Sequence, residues 1–303
     1  MIKLPSGVEI NKLIDDLKII SWEASEILLY YSKILKKEEN KSIILSNNNE
    51  DPVTKADLKV NDLIIQRINQ NYKNVNWKIL SEENVKIELK PFDKESDWLW
   101  VLDPLDGTKD FIQGTGNYAM HLGLNYKQKP YLGVVLIPEK DELWISNGEK
   151  VWCERKGNNQ VFPYLVKKKN IKVDDMTIVT SKNHRNQTLS NLIDKVGFKK
   201  VKVMGSIGCK IASIIRGESD VYISLSLPGK SAPKDWDFSA PEAILKAAGG
   251  AITNLDNEDL NYGKSHFQHG GIIVASNDLL MHESICLKIK EVIRKYDIYP
   301  NEI

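Results

Sequence analysis

Carboxylates recur in this chain beside residues that bend or stiffen the backbone. The densest run is Asp103-Pro104-Leu105-Asp106-Gly107-Thr108, directly after the apolar stretch 98–102. Two carboxylates stand three residues apart, with proline to stiffen the turn and glycine to permit a tight conformation. Such a loop can aim both carboxylates and a backbone carbonyl at one point. Hard cations such as Mg²⁺ take oxygen ligands of this kind, often one or two carboxylates together with a substrate phosphate. The same six residues would also suit a plain surface turn, because Asp, Pro and Gly favour turns. Three further acidic signals weigh against that reading: Asp51 in DPVTKAD, Glu82-Glu83 after another apolar run, and Asp235 with Asp237 ahead of a helical stretch. Asp237 has a simpler reading as well, since a carboxylate at a helix start caps free N–H groups. Ser239 with Glu242 also forms a capping-box pattern, which would start that helix two residues later. Trp236 reads as a packing residue.

These groups need elements to hold them. Apolar residues at spacings of three and four from Ile10 to Leu28 predict an amphipathic helix over 9–35. A polar stretch with a short strand at 43–45 precedes helical spacing at 57–70. The period then changes. Residues 77–80 and 98–102 read as buried strands that deliver Glu82-Glu83 and Asp103 at their C-terminal ends. Strands are also predicted over 119–126, 131–137 and 142–146, with a turn at 128–130. The second half alternates. Strands at 177–180, 201–204, 220–225 and 272–275 interleave with helices at 185–195, 207–216, 237–248 and 278–294. Gly249-Gly250 stops the third of these helices. The pattern predicts a layered α/β protein with a mostly antiparallel first sheet and a mixed second sheet.

Bulk properties narrow the function. The 303 residues are 42% hydrophobic and 27% charged, an ordinary globular composition and not a disordered one. Forty-two basic against 41 acidic residues leave a formal charge of +1, so no basic track points to a nucleic-acid polymer. Cys153, Cys209 and Cys286 are scattered, odd in number and without CxxC spacing. They read as buried thiols in a reducing compartment, not as a disulfide framework or a zinc site. His121 reads as a strand residue and His282 as incidental; His266 and His269 lack the further ligands of a zinc site. No stretch approaches the roughly 18 apolar residues of a membrane span, and the N-terminus has no secretory pattern. A cytoplasmic protein without a membrane partner is expected.

The motifs carry a resemblance. WVLDPLDGTKDF at 100–111 and WDFSAPEAILKAAGG at 236–250 resemble the two signatures of the inositol monophosphatase-like, magnesium-dependent, lithium-sensitive phosphatase superfamily. SEEN at 81–84 and DPVTKAD at 51–57 resemble its flanking motifs, in the same order. The resemblance implies an αβαβα sandwich in two lobes: 1–175 with most metal ligands, and 176–303 with nucleotide-binding loops and the last ligand. It assigns Glu82, Asp103, Asp106, Asp237 and the carbonyl of Leu105 to two or three Mg²⁺ ions. It pairs Asp51 with Thr108 to activate the attacking water. Glu83 is left between a water-mediated third ion and a purely supporting place.

Within the superfamily the sequence is most similar to the 3′(2′),5′-bisphosphate nucleotidases, the CysQ-like group. Lys109 after Thr108, the SKNH run at 181–184, the GSIGCK run at 205–210 and the stretch from Pro228 to Asp237 carry that similarity. SKNH departs from the group's Ser-Arg-Ser-His, with Lys182 for Arg and Asn183 for Ser, a difference confined to that loop that leaves the metal chemistry untouched. The implied reaction is in-line hydrolysis of the 3′-phosphate of 3′-phosphoadenosine 5′-phosphate to AMP, with 3′-phosphoadenosine 5′-phosphosulfate as a possible second substrate, in sulfur metabolism. Gly107, Thr108, Ser181, His184, Gly205, Ser206, Lys210, Lys230 and Lys234 are the implied substrate contacts. The glycine-rich loop would let backbone approach the nucleoside. A monomer or homodimer is expected. The rival readings are inositol monophosphatase or fructose-1,6-bisphosphatase activity on the same fold and, more remotely, a non-catalytic nucleotide-binding protein.

Overall fold

The computed structural model describes residues 2–37, 43–46, 52–87, 96–163, 171–183, 185–264 and 266–299. Helix α1 (Ile10–Leu35) buries Leu13, Leu17, Ile20, Ala24 and Leu28 along one stripe, as the 3.6-residue period requires. A small ribbon of β1 (Ile44–Ser46) and β2 (Val53–Thr54) leads into α2 (Lys55–Asn71). Next come β3 (Lys78–Ser81), α3 (Glu82–Ile87), β4 (Trp98–Asp106), α4 (Thr108–Ile112), β5 (Ala119–Tyr126), β6 (Lys129–Ile137), β7 (Glu142–Ser146), β8 (Val151–Arg155) and β9 (Asn158–Pro163). These strands form one sheet in chain order. Strands β3 and β4 run parallel, and each later neighbouring pair is antiparallel.

The remainder alternates: β10 (Thr177–Ser181), α5 (Gln187–Val196), β11 (Lys200–Met204), α6 (Ile207–Ile215), β12 (Val221–Ser226), α7 (Asp235–Ala247), β13 (Ala251–Asn254), β14 (Gly271–Ser276) and α8 (Leu279–Tyr296). The second sheet has the order β11-β10-β12-β14-β13, parallel around β10 and antiparallel around β14.

Apolar cores hold five layers together. Helices α1 and α2 pack on one face of the first sheet through residues such as Leu17, Val60, Ile64, Trp100 and Leu122. Helices α6 and α7 fill the space between the sheets, where Val135 and Trp144 from the first sheet meet Val179, Tyr222 and Ile273 from the second. Helices α5 and α8 cover the far face through Ile178, Ile223, Leu192 and Ile289. This is the expected αβαβα sandwich, with a mostly antiparallel first sheet and a mixed second one. The middle helices lie close to the first sheet: a Cβ at Gly133 would sit 2.5 Å from the Ala240 carbonyl oxygen, so only glycine lets α7 approach β6 this closely.

Several details differ from the sequence reading. Strand β4 does not stop at Leu102 but runs on to Asp106, with its register against β5 broken between Asp103 and Asp106. The reversal before β6 falls on Lys127 and Gln128, whose φ values of 47° and 63° suit a two-residue hairpin, and Pro130 already belongs to the strand. Strands β8, β9 and β13 and the short helices α3 and α4 were not expected. Helix α7 starts at Asp235, two residues earlier than expected, and the Ser239–Glu242 pair does not cap it. Ser239 Oγ instead donates to Asn125 Oδ1, while Glu242 accepts from Tyr262 OH and pairs with Lys246. All three cysteines are free and buried.

Candidate metal centre

Strand β4 delivers two carboxylates because Pro104 has no N–H for the ladder and the pairing breaks around it. In the break, Asp103 Oδ1 accepts the Leu105 N–H at 3.0 Å, so the side chain takes up a backbone donor that the ladder leaves free. Asp237 reaches the same point from the first turn of α7. One carboxylate oxygen from each of Asp103, Asp106 and Asp237 lies within 4.8 Å of the other two. Glu82, the first residue of α3, is close enough to hydrogen-bond with Asp103.

Burial pushes the Asp103 carboxyl well above the ordinary range, and the charges of Glu82, Asp106 and Asp237 add to the rise. Acids crowded in this way repel one another when ionised. A divalent cation among them reverses the sign of that interaction and offers the hard partner that carboxylate oxygens suit. The donor set therefore fits a divalent metal ion.

The outer oxygens are held by backbone. Asp106 Oδ2 accepts from Ser206 Oγ at 2.6 Å, from the Ile207 N–H and from the Gly208 N–H at 3.3 Å, so it sits on the N-terminus of α6. Asp237 Oδ2 accepts the Lys234 N–H at 2.5 Å.

Thr108 begins α4, and its hydroxyl lies 3.0 Å from the Leu105 carbonyl oxygen and 3.5 Å from Asp57 Oδ1. Asp57 is also the third residue of α2, where its Oδ2 accepts both the Thr54 N–H (2.8 Å) and the Thr54 hydroxyl (2.5 Å). One carboxylate oxygen is thus used in capping and the other faces Thr108. Burial pushes the Asp57 carboxyl up to about 7, with Glu83 and Glu82 adding to the rise and the Thr54 hydrogen bonds opposing it. Asp51, expected beside Thr108, lies outside the described residues. The carboxylate the structure puts there is Asp57. The sequence signal was the Thr54-x-x-Asp57 pattern, a capping box ahead of an apolar helix, inside the same DPVTKAD run.

A cavity of about 860 Å³ opens beside the carboxylates. Glu82, Asp103, Leu105, Asp106, Gly107, Thr108 and Asp237 line it, and so do Ser181, Gly205, Ser206, Lys210, Lys230 and Lys234 from the second half of the chain. Glu83 does not: it is buried behind this wall, 3.0 Å from Lys86 Nζ, which also pairs with Glu82. His184 lies outside the described residues. Its neighbours fasten the loop after β10 to α4 and the residue that ends it, with Asn183 Nδ2 donating to Asp110 Oδ2 at 2.8 Å and Lys182 Nζ to Gln113 Oε1 at 2.7 Å.

Lys210 is buried. Its Nζ donates to the Ser206 carbonyl at 3.1 Å and stands 5.3 Å from the centre of the Tyr222 ring. Burial lowers its pKa, and the charges of Asp106, Asp110 and Asp237 oppose that fall. The glycines of the 205–208 loop are also required by packing inside the protein. A Cβ at Gly205 would lie 2.3 Å from Asp110 Cγ, and one at Gly208 would lie 2.3 Å from His121 Nε2. Sequence reasoning gave those glycines to the ligand and left Asp110 out.

His121 is fully buried on β5, where burial holds its imidazole below the ordinary pKa and the Asp106 charge opposes the fall. Its Nδ1 is 3.4 Å from the Trp236 carbonyl oxygen, and its Nε2 is 3.1 Å from the Gly208 nitrogen. His269 pairs with Asp235 at 2.8 Å.

Fold and site together define a layered α/β hydrolase with an acidic centre of the divalent-metal type. The chain belongs to the inositol monophosphatase family, whose pattern matches residues 12–294. A 3′(2′),5′-bisphosphate nucleotidase CysQ from Buchnera aphidicola is 31% identical over 217 residues, covering 71% of this chain and 75% of its own. The CysQ protein of the same description from Escherichia coli is 27% identical over 219 residues, covering 71% and 80%. Among solved structures, the Thermotoga maritima IMPase superposes with a TM-score of 0.71 at 20% identity, over 94% of this chain and 99% of its own. That last likeness speaks for the fold alone. Among the described residues no helix is long and apolar enough to cross a membrane.

Proposed function

We propose that this protein is a Mg²⁺-dependent 3′(2′),5′-bisphosphate nucleotidase that hydrolyses 3′-phosphoadenosine 5′-phosphate to AMP and phosphate. The observation that carries the reading is the meeting of Asp103, Asp106 and Asp237 on a cavity whose other wall holds the buried cation Lys210. A cavity of about 860 Å³ has room for a nucleotide. The CysQ relatives act, by their description, on this class of substrate.

Asp103, Asp106, Glu82, Asp237 and the Leu105 carbonyl would hold the metal. When bound, the metal supplies Lewis acidity to a phosphate oxygen and to the attacking water. The chain's own residues do the rest. Thr108 Oγ1 is placed to take a hydrogen bond from that water while its own proton points to Leu105 O or Asp57 Oδ1. Asp57, raised by burial toward neutrality, is suited to receive a proton at Oδ1. Lys210, with Lys230 and Lys234 also lining the cavity, offers positive charge to the phosphate that is not cleaved. Asn183, bonded to Asp110, fastens the loop that follows Ser181 to α4 beside the cavity.

The test is phosphate release with Mg²⁺ on three substrates: 3′-phosphoadenosine 5′-phosphate, inositol 1-phosphate and fructose 1,6-bisphosphate. We expect kcat/KM for the nucleotide to exceed both others by about 100-fold or more, with AMP as product. A preference for the inositol or sugar phosphate would leave the metal centre standing and remove the nucleotide assignment.

A further inference from the structure

His121 lies between the two helix starts that shape the acidic centre. Strand β5 puts it, fully buried, beneath both. On one side its Nε2 is 3.1 Å from the Gly208 nitrogen in the first turn of α6. That same turn holds Asp106, through Ser206 Oγ, the Ile207 N–H and the Gly208 N–H. On the other side its Nδ1 is 3.4 Å from the carbonyl oxygen of Trp236, the residue before Asp237.

Nδ1 faces an acceptor, the Trp236 carbonyl, while Nε2 faces the Gly208 N–H and, 3.2 Å away, the Asp106 Oδ2 that shares that N–H. With Nδ1 protonated, Nε2 accepts from Gly208; with Nε2 protonated, it donates to Asp106, so either tautomer joins the ring to the α6 turn. The contact is built at close quarters. A Cβ at Gly208 would stand 2.3 Å from Nε2, so no other residue lets α6 come this near to the ring.

We propose that His121 is a positioning residue for the metal centre, joining the turn that holds Asp106 to the turn that carries Asp237. This rests on the reading that these carboxylates bind a divalent cation. The ring touches neither metal nor substrate in this account. It sets the separation of two carboxylates that arrive on different helices, and a metal site loses affinity when such supports are removed.

The measurement is Mn²⁺ binding in the absence of substrate, followed by electron paramagnetic resonance of the free ion, for the wild-type chain and three variants. His121→Leu removes both contacts. His121→Gln can place an amide oxygen where Nε2 faces the Gly208 N–H. His121→Asn is too short for that and reaches only toward Trp236. We expect His121→Leu to bind Mn²⁺ about tenfold more weakly and His121→Gln to stay within about threefold of wild type. Wild-type Mn²⁺ affinity in His121→Leu would overturn the inference. If that variant fails to fold, the comparison of Gln with Asn decides: tighter binding by Gln supports the link through Gly208, and equal binding overturns it. Absence of Mn²⁺ binding by the wild-type chain would instead remove the metal-centre reading, and this inference with it.

Discussion

Thr108 has two acceptors within reach of one hydroxyl, the Leu105 carbonyl at 3.0 Å and Asp57 Oδ1 at 3.5 Å. A proton leaving that hydroxyl has a carboxylate to go to, and burial holds the carboxyl near a pKa of about 7. Asp57→Asn keeps the shape and the Thr54 cap's acceptor while removing the base. We expect kcat to fall by about 100-fold or more with KM little changed, the signature of a lost proton acceptor. Steady-state kinetics at saturating Mg²⁺ reads this directly. Should Asp51→Asn abolish turnover while Asp57→Asn does not, the pairing is wrong. Most of the acidic centre was legible from sequence because acidic residues recur at several strand ends and helix starts, and a turn or a cap explains each of them singly but not their recurrence. Asp57 was hidden because it has a good structural explanation: it caps α2 with its other oxygen. His121 was hidden because alternation of Met120, Leu122 and Leu124 marks only one buried face of β5, whereas the structure buries both.

At the scale of elements, the long periodic segments were readable and the short ones were not. Helices α1, α2, α5 and α8 fall where the three-and-four spacing put them, because each buries one apolar stripe on a sheet. Strands β8 and β13 carry mixed sequences whose pairing partners decide their fate, and α4 is barely more than one turn. Around β13 the structure adds a polar clamp. His282 on α8 bonds Thr253 Oγ1 at 2.8 Å and Ser276 Oγ at 2.7 Å, tying the helix to β13 and β14. Burial pushes its imidazole down to about 4, and the Lys246 charge adds to the fall. The folded chain therefore keeps His282 neutral where the unfolded chain, with an ordinary value near 6.5, takes up a proton. Stability is unaffected by this group above pH 6.5 and declines as pH falls toward 4. At pH 5 the loss is about 2 kcal/mol. Urea midpoints at pH 7 and pH 5 should show this decline in the wild-type chain and a smaller one in His282→Gln. An equal decline in both would contradict the buried-neutral state of His282.

At the scale of the whole molecule, the sandwich brings parts from both halves of the chain to one point. Asp103 and Asp106 come from the first sheet, Asp237 from a helix between the sheets, and Lys210 from the neighbouring helix. A bulk charge of +1 hides this meeting of opposite charges, which is why composition could speak against polymer binding and go no further. The layer order was readable from the succession of helical and alternating segments. The meeting of Lys210 with the carboxylates was not, because it depends on how α6 and α7 stack between the sheets. The central claim is that the carboxylate cluster is a divalent-metal centre for phosphate ester hydrolysis. It is tested most directly by Mg²⁺ titration of phosphate release in the wild-type chain and in Asp103→Asn, each stripped of metal beforehand. Asp103 is buried among Glu82, Asp106 and Asp237, so neutralising it relieves repulsion in the metal-free chain. The variant should therefore fold with an undiminished urea midpoint. The account predicts that wild-type activity appears only with added Mg²⁺, and that Asp103→Asn loses at least about 100-fold of it at any Mg²⁺ concentration. Near-wild-type turnover in Asp103→Asn, or full wild-type activity without a divalent ion, would contradict it.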